Sequence, residues 1–279
     1  MGKLISAIIP VYNEEDTIKS CLETLKRQSY SFIEIIVVDD GSSDSTRKII
    51  EDFSSIKLLT QNHKGPGPAR NLGVSVAKGE ILIFVDADMI FDKNFIRDLV
   101  KPISDGQTIG TFSKNEMVKN KDSIWSACWN INKNLPKDRM IAKNYPNEAP
   151  VFRAILKSEF EKVGGFDESG QYTDDWSLSK KLGKKSTAAV GAIYYHSNPQ
   201  SLGEVWQQAR WIGKNEFIAG NLLRKFKSLI LYSLPVSFVI GLFKSIINFN
   251  FYFLFFKLIY NLAIFVSVGK SFGGEKKFK

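Results

Sequence analysis

Two aspartates one residue apart, Asp86-Ala87-Asp88, close the apolar run Ile81-Leu82-Ile83-Phe84-Val85. Such a run, opened by Lys78-Gly79-Glu80, reads as a buried strand of an α/β sheet. Acids at its carboxyl end fall on the sheet edge where open α/β folds bind ligands. Ionised carboxylates this close are costly to bury unpaired. A hard divalent cation, Mg²⁺ or Mn²⁺, itself bound to phosphate oxygens, would satisfy both. Taken alone, the tripeptide also reads as an Asp-rich turn capping the next helix.

Other polar groups stand at comparable places. Val37-Val38-Asp39-Asp40-Gly41-Ser42-Ser43-Asp44 is a second strand that ends in carboxylates. An acid there can accept a hydrogen bond from a pyrimidine ring N–H or a ribose hydroxyl, while Ser43 or Asp44 caps the helix that follows. A first strand ends in the polar turn Pro10-Val11-Tyr12-Asn13-Glu14. In Gly65-Pro66-Gly67-Pro68-Ala69-Arg70-Asn71-Leu72-Gly73 two glycines have dinucleotide-site spacing, but Arg70 takes the third glycine's place and no strand abuts the loop. That excludes a Rossmann fingerprint, and no Gly-x-x-x-x-Gly-Lys-Ser/Thr makes a P-loop. Arg70 either holds a base or phosphate or is a surface cation. On a helix, Gln207, Arg210 and Trp211 share a face. They offer an amide, a guanidinium that forks two phosphate oxygens and an indole on which a sugar stacks; the alternative is an aromatic belt beside a membrane. His196, after Tyr194-Tyr195, is either structural or approaches a metal or diphosphate.

The elements that position these residues alternate. Residues 4–11, 33–38, 56–59 and 81–85 read as strands. Helical patterns lie between them, one through Ile18, Leu22 and Leu25 and one through Ile49, Ile50 and Phe53. This βαβ rhythm predicts a mostly parallel sheet flanked by helices. Further on, 108–112, 151–156 and 188–195 read as strands and 123–132 and 176–182 as helices. Residues 202–226 read as one amphipathic helix. Residues 229–243 and 249–268 are apolar stretches near the length that crosses a bilayer, forming a hydrophobic helical hairpin. Lys244 and Lys257 weigh against two clean crossings, so a re-entrant or interfacial hairpin is the alternative, and a soluble core a third reading.

The chain has 279 residues, is 44% hydrophobic and 24% charged, and carries a formal charge of +9, which excludes a disordered protein. Basic groups at Arg224, Lys225 and Lys227 and at Lys276, Lys277 and Lys279 flank the apolar stretches, which favours an anionic membrane surface over nucleic acid. The cysteines, Cys21 and Cys128, suggest neither a disulfide framework nor a zinc site, and a reducing cytoplasmic setting follows. Residues 4–9 are too short for a secretory leader and run directly into Pro10.

In order along residues 6–211, Asp39-Asp40-Gly41-Ser42, Ala69-Arg70-Asn71-x-Gly73, Asp86-Ala87-Asp88, Gly164-Gly165-Phe166-Asp167-Glu168, Thr173-Asp174-Asp175-Trp176 and Gln207-x-x-Arg210-Trp211 resemble the motifs of the family-2 glycosyltransferases, with their GT-A type fold. The resemblance implies an inverting, metal-dependent transferase using a UDP- or GDP-sugar. Asp40, with Arg70 beside it, would contact the base; Asp86 would meet ribose or metal, and Asp88 would ligate the Mg²⁺ or Mn²⁺ on the diphosphate, with His196 a third candidate ligand. Pro10, Tyr12, Glu14 and Asp39 complete the nucleotide-sugar contacts. Asp175 matches the catalytic base, with Asp174 in place of the family's glutamate before it. Gln207 and Arg210 would bind the diphosphate, and Gly164, Gly165 and Trp211 the acceptor. The expected organisation is a catalytic domain over 1–222, with a nucleotide-sugar half to about residue 100, then membrane-associated helices and a basic tail over 223–279. The acceptor is a growing saccharide or a polyprenyl-linked one, at the cytoplasmic side of the cell membrane. A non-catalytic sugar-nucleotide-binding scaffold is the competing class. A nucleotidyltransferase would want a Gly-rich loop where this chain has Tyr12-Asn13-Glu14-Glu15.

Overall fold

A computed structural model describes residues 2–167, 174–217 and 222–273. In chain order the elements are β1 (Ile5–Val11), α1 (Ile18–Lys26), β2 (Ile33–Asp39), α2 (Thr46–Glu51), β3 (Ile56–Thr60), α3 (Pro66–Ser75), β4 (Ile81–Phe84), β5 (Ile90–Phe91), α4 (Phe95–Ser104), β6 (Gly110–Val118) and α5 (Ile124–Lys133). Then come β7 (Glu148–Ala149), β8 (Ala154–Leu156), α6 (Lys157–Lys162), α7 (Asp174–Leu182), β9 (Ser186–His196), α8 (Leu202–Phe217), α9 (Leu222–Leu231), α10 (Leu234–Ile247) and α11 (Tyr252–Lys270). They form two compact units, one of residues 1–117 and 143–196, the other of 118–142 and 197–279.

The first unit is built on one sheet of order β3-β2-β1-β4-β8-β6-β9-β5, with β7 beside β9. β1 runs parallel to β2 and β4, and β2 to β3. The alternation of β1 divides the core: Ile5, Ile9 and Val11 face α1 with its Ile18, Cys21, Leu22 and Leu25, whereas Ile8 joins Ile36, Val38, Leu82 and Phe84 on the opposite side. Every residue of β4 is buried, as a strand covered on both faces requires. Gly73 lets α3 lie close on β1, since a Cβ there would stand 2.6 Å from Ile8 Cγ2.

Beyond β4 the ladder reverses. β8 is antiparallel to both β4 and β6, and β9 is antiparallel to β5 and β7. The sheet is therefore mixed: parallel through β3-β2-β1-β4, joined by the crossover helices α1, α2 and α3, and then antiparallel where β8 meets β4 and β6 and where β9 meets β5 and β7. Hydrophobic runs report burial, not strand direction, so the second half reads the same in sequence.

In the second unit α8 lies along α11, running the same way. Val205 packs with Phe253 and Phe256, and Ala209 with Ala263, Ile264 and Val268. A Cβ on Gly213 would stand 2.9 Å from that of Ser267, and Ser267 Oγ donates to Arg210 O at 3.1 Å. The residues 197–217, grouped by sequence with those before them, thus pack with the apolar helices that follow. Lys244 Nζ donates to Ile131 O (3.1 Å) and Asn134 Oδ1 (2.7 Å), and Lys257 Nζ to Asn132 Oδ1 (2.8 Å). Both lysines thereby meet the carboxyl end of α5, the end of a helix that favours cations.

The two apolar stretches differ in form. α11, 19 residues with mean hydropathy 1.7, is long and apolar enough to cross a membrane. The stretch 229–243 is not one helix: α9 and α10 meet at 54°. Pro235 falls in the first turn of α10, where a missing N–H costs nothing. The single helix expected over 202–226 is α8 and the start of α9, with 218–221 outside the described residues.

Candidate active site

Three neighbouring strand tips, those of β1, β2 and β4, carry the polar residues. After β1, Asn13 adopts a left-handed conformation with φ 55°. Its side-chain oxygen accepts the Ser43 N–H at 2.8 Å, and its own N–H reaches Ser42 Oγ at 3.0 Å. Glu14 N donates to Thr46 Oγ1 at 2.7 Å. The turn after β1 is thus laced to the turn after β2. Pro10 pairs with Val38 in the ladder. The Glu14 carboxyl lies above its ordinary range because burial, and then the charges of Asp88 and Asp86, disfavour ionisation, with Thr17 opposing through a hydrogen bond.

At the β2 tip, Asp39 Oδ1 accepts Ser42 N at 2.9 Å and shapes the turn. Asp40, only 3% exposed, receives four donors: Gln61 Nε2 (2.6 Å) and Lys64 N (2.8 Å) on one oxygen, His63 Nδ1 (2.6 Å) and Gly65 N (2.8 Å) on the other. The loop from β3 to α3 is therefore folded onto Asp40. The His63 ring stacks on Tyr12 with centroids 3.8 Å apart and planes at 15°.

At the β4 tip the two acids of Asp86-Ala87-Asp88 part company. Asp86 Oδ1 accepts Arg70 Nη2 at 2.8 Å and Oδ2 accepts Arg153 Nη1 at 3.0 Å. Partial burial favours the neutral acid, but the Arg153 and Arg70 guanidiniums, with His196 beyond, hold its carboxyl well below the usual range. Arg70 is braced over the Phe166 ring and Arg153 over Tyr194. Asp88 Oδ2 lies 2.7 Å from His196 Nε2, and the other ring nitrogen of His196 is 2.9 Å from Glu116 Oε1. Burial works against charging His196, but its hydrogen bonds to Asp88 and Glu116, and their charges, prevail and push its pKa up to about 10.

Raised from 6.5, that pKa means the imidazolium stabilises the fold fully below pH 6.5 and progressively less as pH rises through about 10. His196→Gln is expected to remove this slope. Thermal unfolding from pH 6 to 10 should then show the wild type losing its advantage over the variant as pH rises; parallel curves would remove the charge from His196.

Of the three expected metal ligands, Asp88 and His196 are brought together, while both oxygens of Asp86 face arginines. Among the described residues no group of three or more His, Cys, Asp or Glu side chains forms a metal cage. The 2.7 Å contact between Asp88 and His196 is a hydrogen bond, so a cation binding here must displace its proton; the Asp88 oxygen, on a side chain 44% exposed, and the freed imidazole nitrogen then suit a cation that completes its shell from a ligand. Nitrogen in the set favours Mn²⁺ over Mg²⁺.

The remaining candidates fall elsewhere. Gly164 and Gly165, with φ of 70° and 76°, make the turn after α6. Asn71 clamps that turn, accepting Phe166 N and donating to Phe166 O, both at 3.0 Å. A Cβ on Gly165 would stand 2.6 Å from Asn71 Oδ1. Arg70-Asn71 and Gly164-Gly165-Phe166 are thus one structural unit, the asparagine holding the turn and its phenylalanine supporting the arginine. Asp174 and Asp175 open α7, which is anchored by the buried Leu178; their side chains, and residues 168–173 before them, lie outside the described residues. Gln207, Arg210 and Trp211 belong to α8 in the second unit, with Trp211 half exposed. Sequence reasoning missed His63, Arg153 and Glu116. Arg153 had a signal, a lone cation heading the apolar run Ala154-Ile155-Leu156; His63 and Glu116 had none.

A mixed sheet whose parallel half ends in these acids defines a GT-A type fold. Among solved structures, the mannosyltransferase PcManGT from Pyrobaculum calidifontis in complex with GDP-Man and Mn²⁺ superposes with a TM-score of 0.61 at 18% identity, over 99% of this chain and 89% of that one. Staphylococcus aureus TarS 1–349 in complex with UDP-GlcNAc gives 0.56 at 17%, over 99% and 93%. The family model for glycosyl transferase family 2 matches residues 6–164, more than half of the chain, and the chain belongs to that family. The poly-beta-1,6-N-acetyl-D-glucosamine synthase of Staphylococcus aureus (strain MW2) is 28% identical over 222 residues, 74% of this chain and 53% of that protein. Glycosyltransferase GlyG of Streptococcus pneumoniae serotype 4 is 39% identical over 110 residues, 38% of this chain and 36% of its own length. The chain thus spans about a third to a half of these relatives.

Proposed function

We propose that this chain is an inverting, metal-assisted glycosyltransferase that moves a sugar from a UDP- or GDP-sugar to a saccharide or polyprenyl-linked acceptor at a membrane. The observation that carries the reading is the convergence of Asp88 and His196 at 2.7 Å beside an Asp86 locked between two arginines. Asp88 and His196 would hold a Mn²⁺ or Mg²⁺ ion, which when bound offsets charge on the departing nucleoside diphosphate. Asp86 is better placed to orient Arg70 and Arg153, and to meet the ribose, than to ligate the ion. Tyr12, Glu14, Asp39 and Asp40 form the base and ribose end, and Gln207 and Arg210 the diphosphate contacts carried by α8. Asp175, with Asp174 beside it, removes the acceptor hydroxyl's proton as that oxygen attacks the anomeric carbon. One base and no covalent nucleophile gives a single displacement with inversion. Gly164, Gly165 and Trp211 would contact the acceptor, Trp211 offering a flat face to a sugar ring.

Attachment to the membrane is through the second unit, lying in the plane of the cytoplasmic leaflet. α10 exposes Leu234, Phe238, Leu242 and Ile246 in one row and Val239, Phe243 and Ile247 in the next, an apolar face with no charge on it. On α9, exposed Leu223, Phe226 and Ile230 are flanked by Arg224 and Lys227, as suits an anionic surface. Were α11 to cross the bilayer, the α8 beside it would carry Glu204, Arg210 and Lys214 inward, at about 2.5–3.5 kcal/mol per charge at the centre. The double variant Phe238→Asp/Phe243→Asp is expected to weaken binding to phosphatidylserine-containing vesicles at least about tenfold, from the loss of two inserted aromatic rings. Co-sedimentation checks this, and unchanged binding would place the contact elsewhere.

The function itself is tested by incubating the purified chain with Mn²⁺, UDP- and GDP-sugars and membrane extract. Nucleoside diphosphate release with transfer of label is expected; binding without release would make the chain a sugar-nucleotide-binding scaffold. A ladder of products indicates chain extension, and one lipid-soluble product a polyprenyl acceptor.

A further inference from the structure

His63 has no part in the roles assigned above, yet it occupies the base end of the site. The loop carrying it folds over the β2 tip, its backbone N 3.2 Å from where a Cβ on Gly41 would stand. From there the imidazole reaches Tyr12, stacking at 3.8 Å and 15°. Its Nδ1 donates to the buried Asp40 Oδ2 at 2.6 Å, the carboxylate having only lone pairs to offer. A flat ring that stacks on an aromatic face and donates a ring N–H to a carboxylate makes the contacts expected of uracil or guanine at the same place. Two of the four donors to Asp40, Lys64 N and Gly65 N, are fixed parts of the backbone. The others are side chains, and of these His63 is the one that also covers Tyr12. Its side chain is 26% exposed, so rotation about its own bonds opens a way to solvent while Lys64 and Gly65 keep the loop in place.

We propose that His63 is an internal stand-in for the nucleobase, filling the base position in the ligand-free chain and swinging away from Tyr12 and Asp40 when the donor enters. The inference rests on reading this sheet edge as the nucleotide site. It keeps the set of donors around the buried Asp40 complete between turnovers, with one ring N–H exchanged for another. The exchange also lowers the net affinity for the nucleotide, because each binding event gives up a charge-assisted hydrogen bond and a ring contact. Product release is correspondingly easier.

The test is calorimetric titration of UDP, with GDP in parallel, in the presence of Mg²⁺, into the wild type and His63→Ala. The variant is expected to bind the nucleotide about tenfold more tightly, with affinity for ribose 5-diphosphate, which lacks a base, unchanged. Equal or weaker nucleotide binding by the variant would overturn the proposal and make His63 part of the wall of the site. If neither nucleotide binds either protein, the nucleotide-site reading itself fails. Independently of any variant, the chain has only two histidines, so the imidazole resonances of the wild type are simple to follow. Saturating UDP with Mg²⁺ should abolish the nuclear Overhauser contact between the His63 and Tyr12 rings; its persistence would refute the displacement.

Discussion

Asp175→Asn is expected to lower turnover by about 10²–10⁴-fold, the contribution of a positioned general base, while UDP affinity stays within about twofold. The amide keeps the size of the side chain but cannot accept the acceptor's proton, so the loss should fall on kcat rather than on donor binding. Asp174→Asn is expected to cost less, since Asp175 matches the position of the base and Asp174 replaces a longer acid. Steady-state kinetics with a fixed donor and varied acceptor separate the two. A fully active Asp175→Asn protein would transfer the role to Asp174 or to another group.

Arg153→Met is the second large effect. It leaves Asp86 with Arg70 alone and removes the guanidinium braced over Tyr194. Breaking a buried pair by deleting one partner typically costs about 3–5 kcal/mol. Because a third of the Asp86 side chain is exposed (34%), about 2–3 kcal/mol is the expected loss here, after discounting for solvent screening. The measurement is a double-mutant cycle in urea with Asp86→Asn. The double variant should lose clearly less than the sum of the singles, and strict additivity would show that the pair is not coupled. Donor binding should weaken in Arg153→Met as well, since Asp86 and Arg70 lose their common brace.

Much of this architecture is legible in the residues. The β1, β2 and β4 runs announce buried strands through largely apolar stretches, while β3, Ile56-Lys57-Leu58-Leu59-Thr60, is only partly buried, and α1 is announced by Ile18, Leu22 and Leu25 at helical spacing. The acids at the strand tips are legible because charge at the end of such a run has few structural excuses. What is hidden is anything fixed by three-dimensional approach. Arg153 reaches Asp86 because β8 pairs antiparallel with β4, and the run Ala154-Ile155-Leu156 carries no sign of that direction. His63 and Glu116 act across 23 and 80 residues of chain, with no periodicity to link them to Asp40 or His196. The bend between α9 and α10 is foreshadowed by Pro235, although composition alone reads the stretch as continuous. That α8 packs with α11 follows from small residues, Ala209 and Gly213 against Ala263 and Ser267, a pattern visible only once the partner is known.

In the proposed mechanism Asp88 and His196 trap a cation together with the donor's diphosphate. Calorimetric titration of UDP and GDP into the wild type and Asp88→Asn, each with and without Mn²⁺, tests it most directly. Wild-type affinity for the bound nucleotide is expected to rise at least about tenfold with Mn²⁺, and the gain to vanish in Asp88→Asn, which gives up a charged oxygen ligand. Equal binding with and without the ion, or a Mn²⁺ gain that survives the substitution, would contradict it.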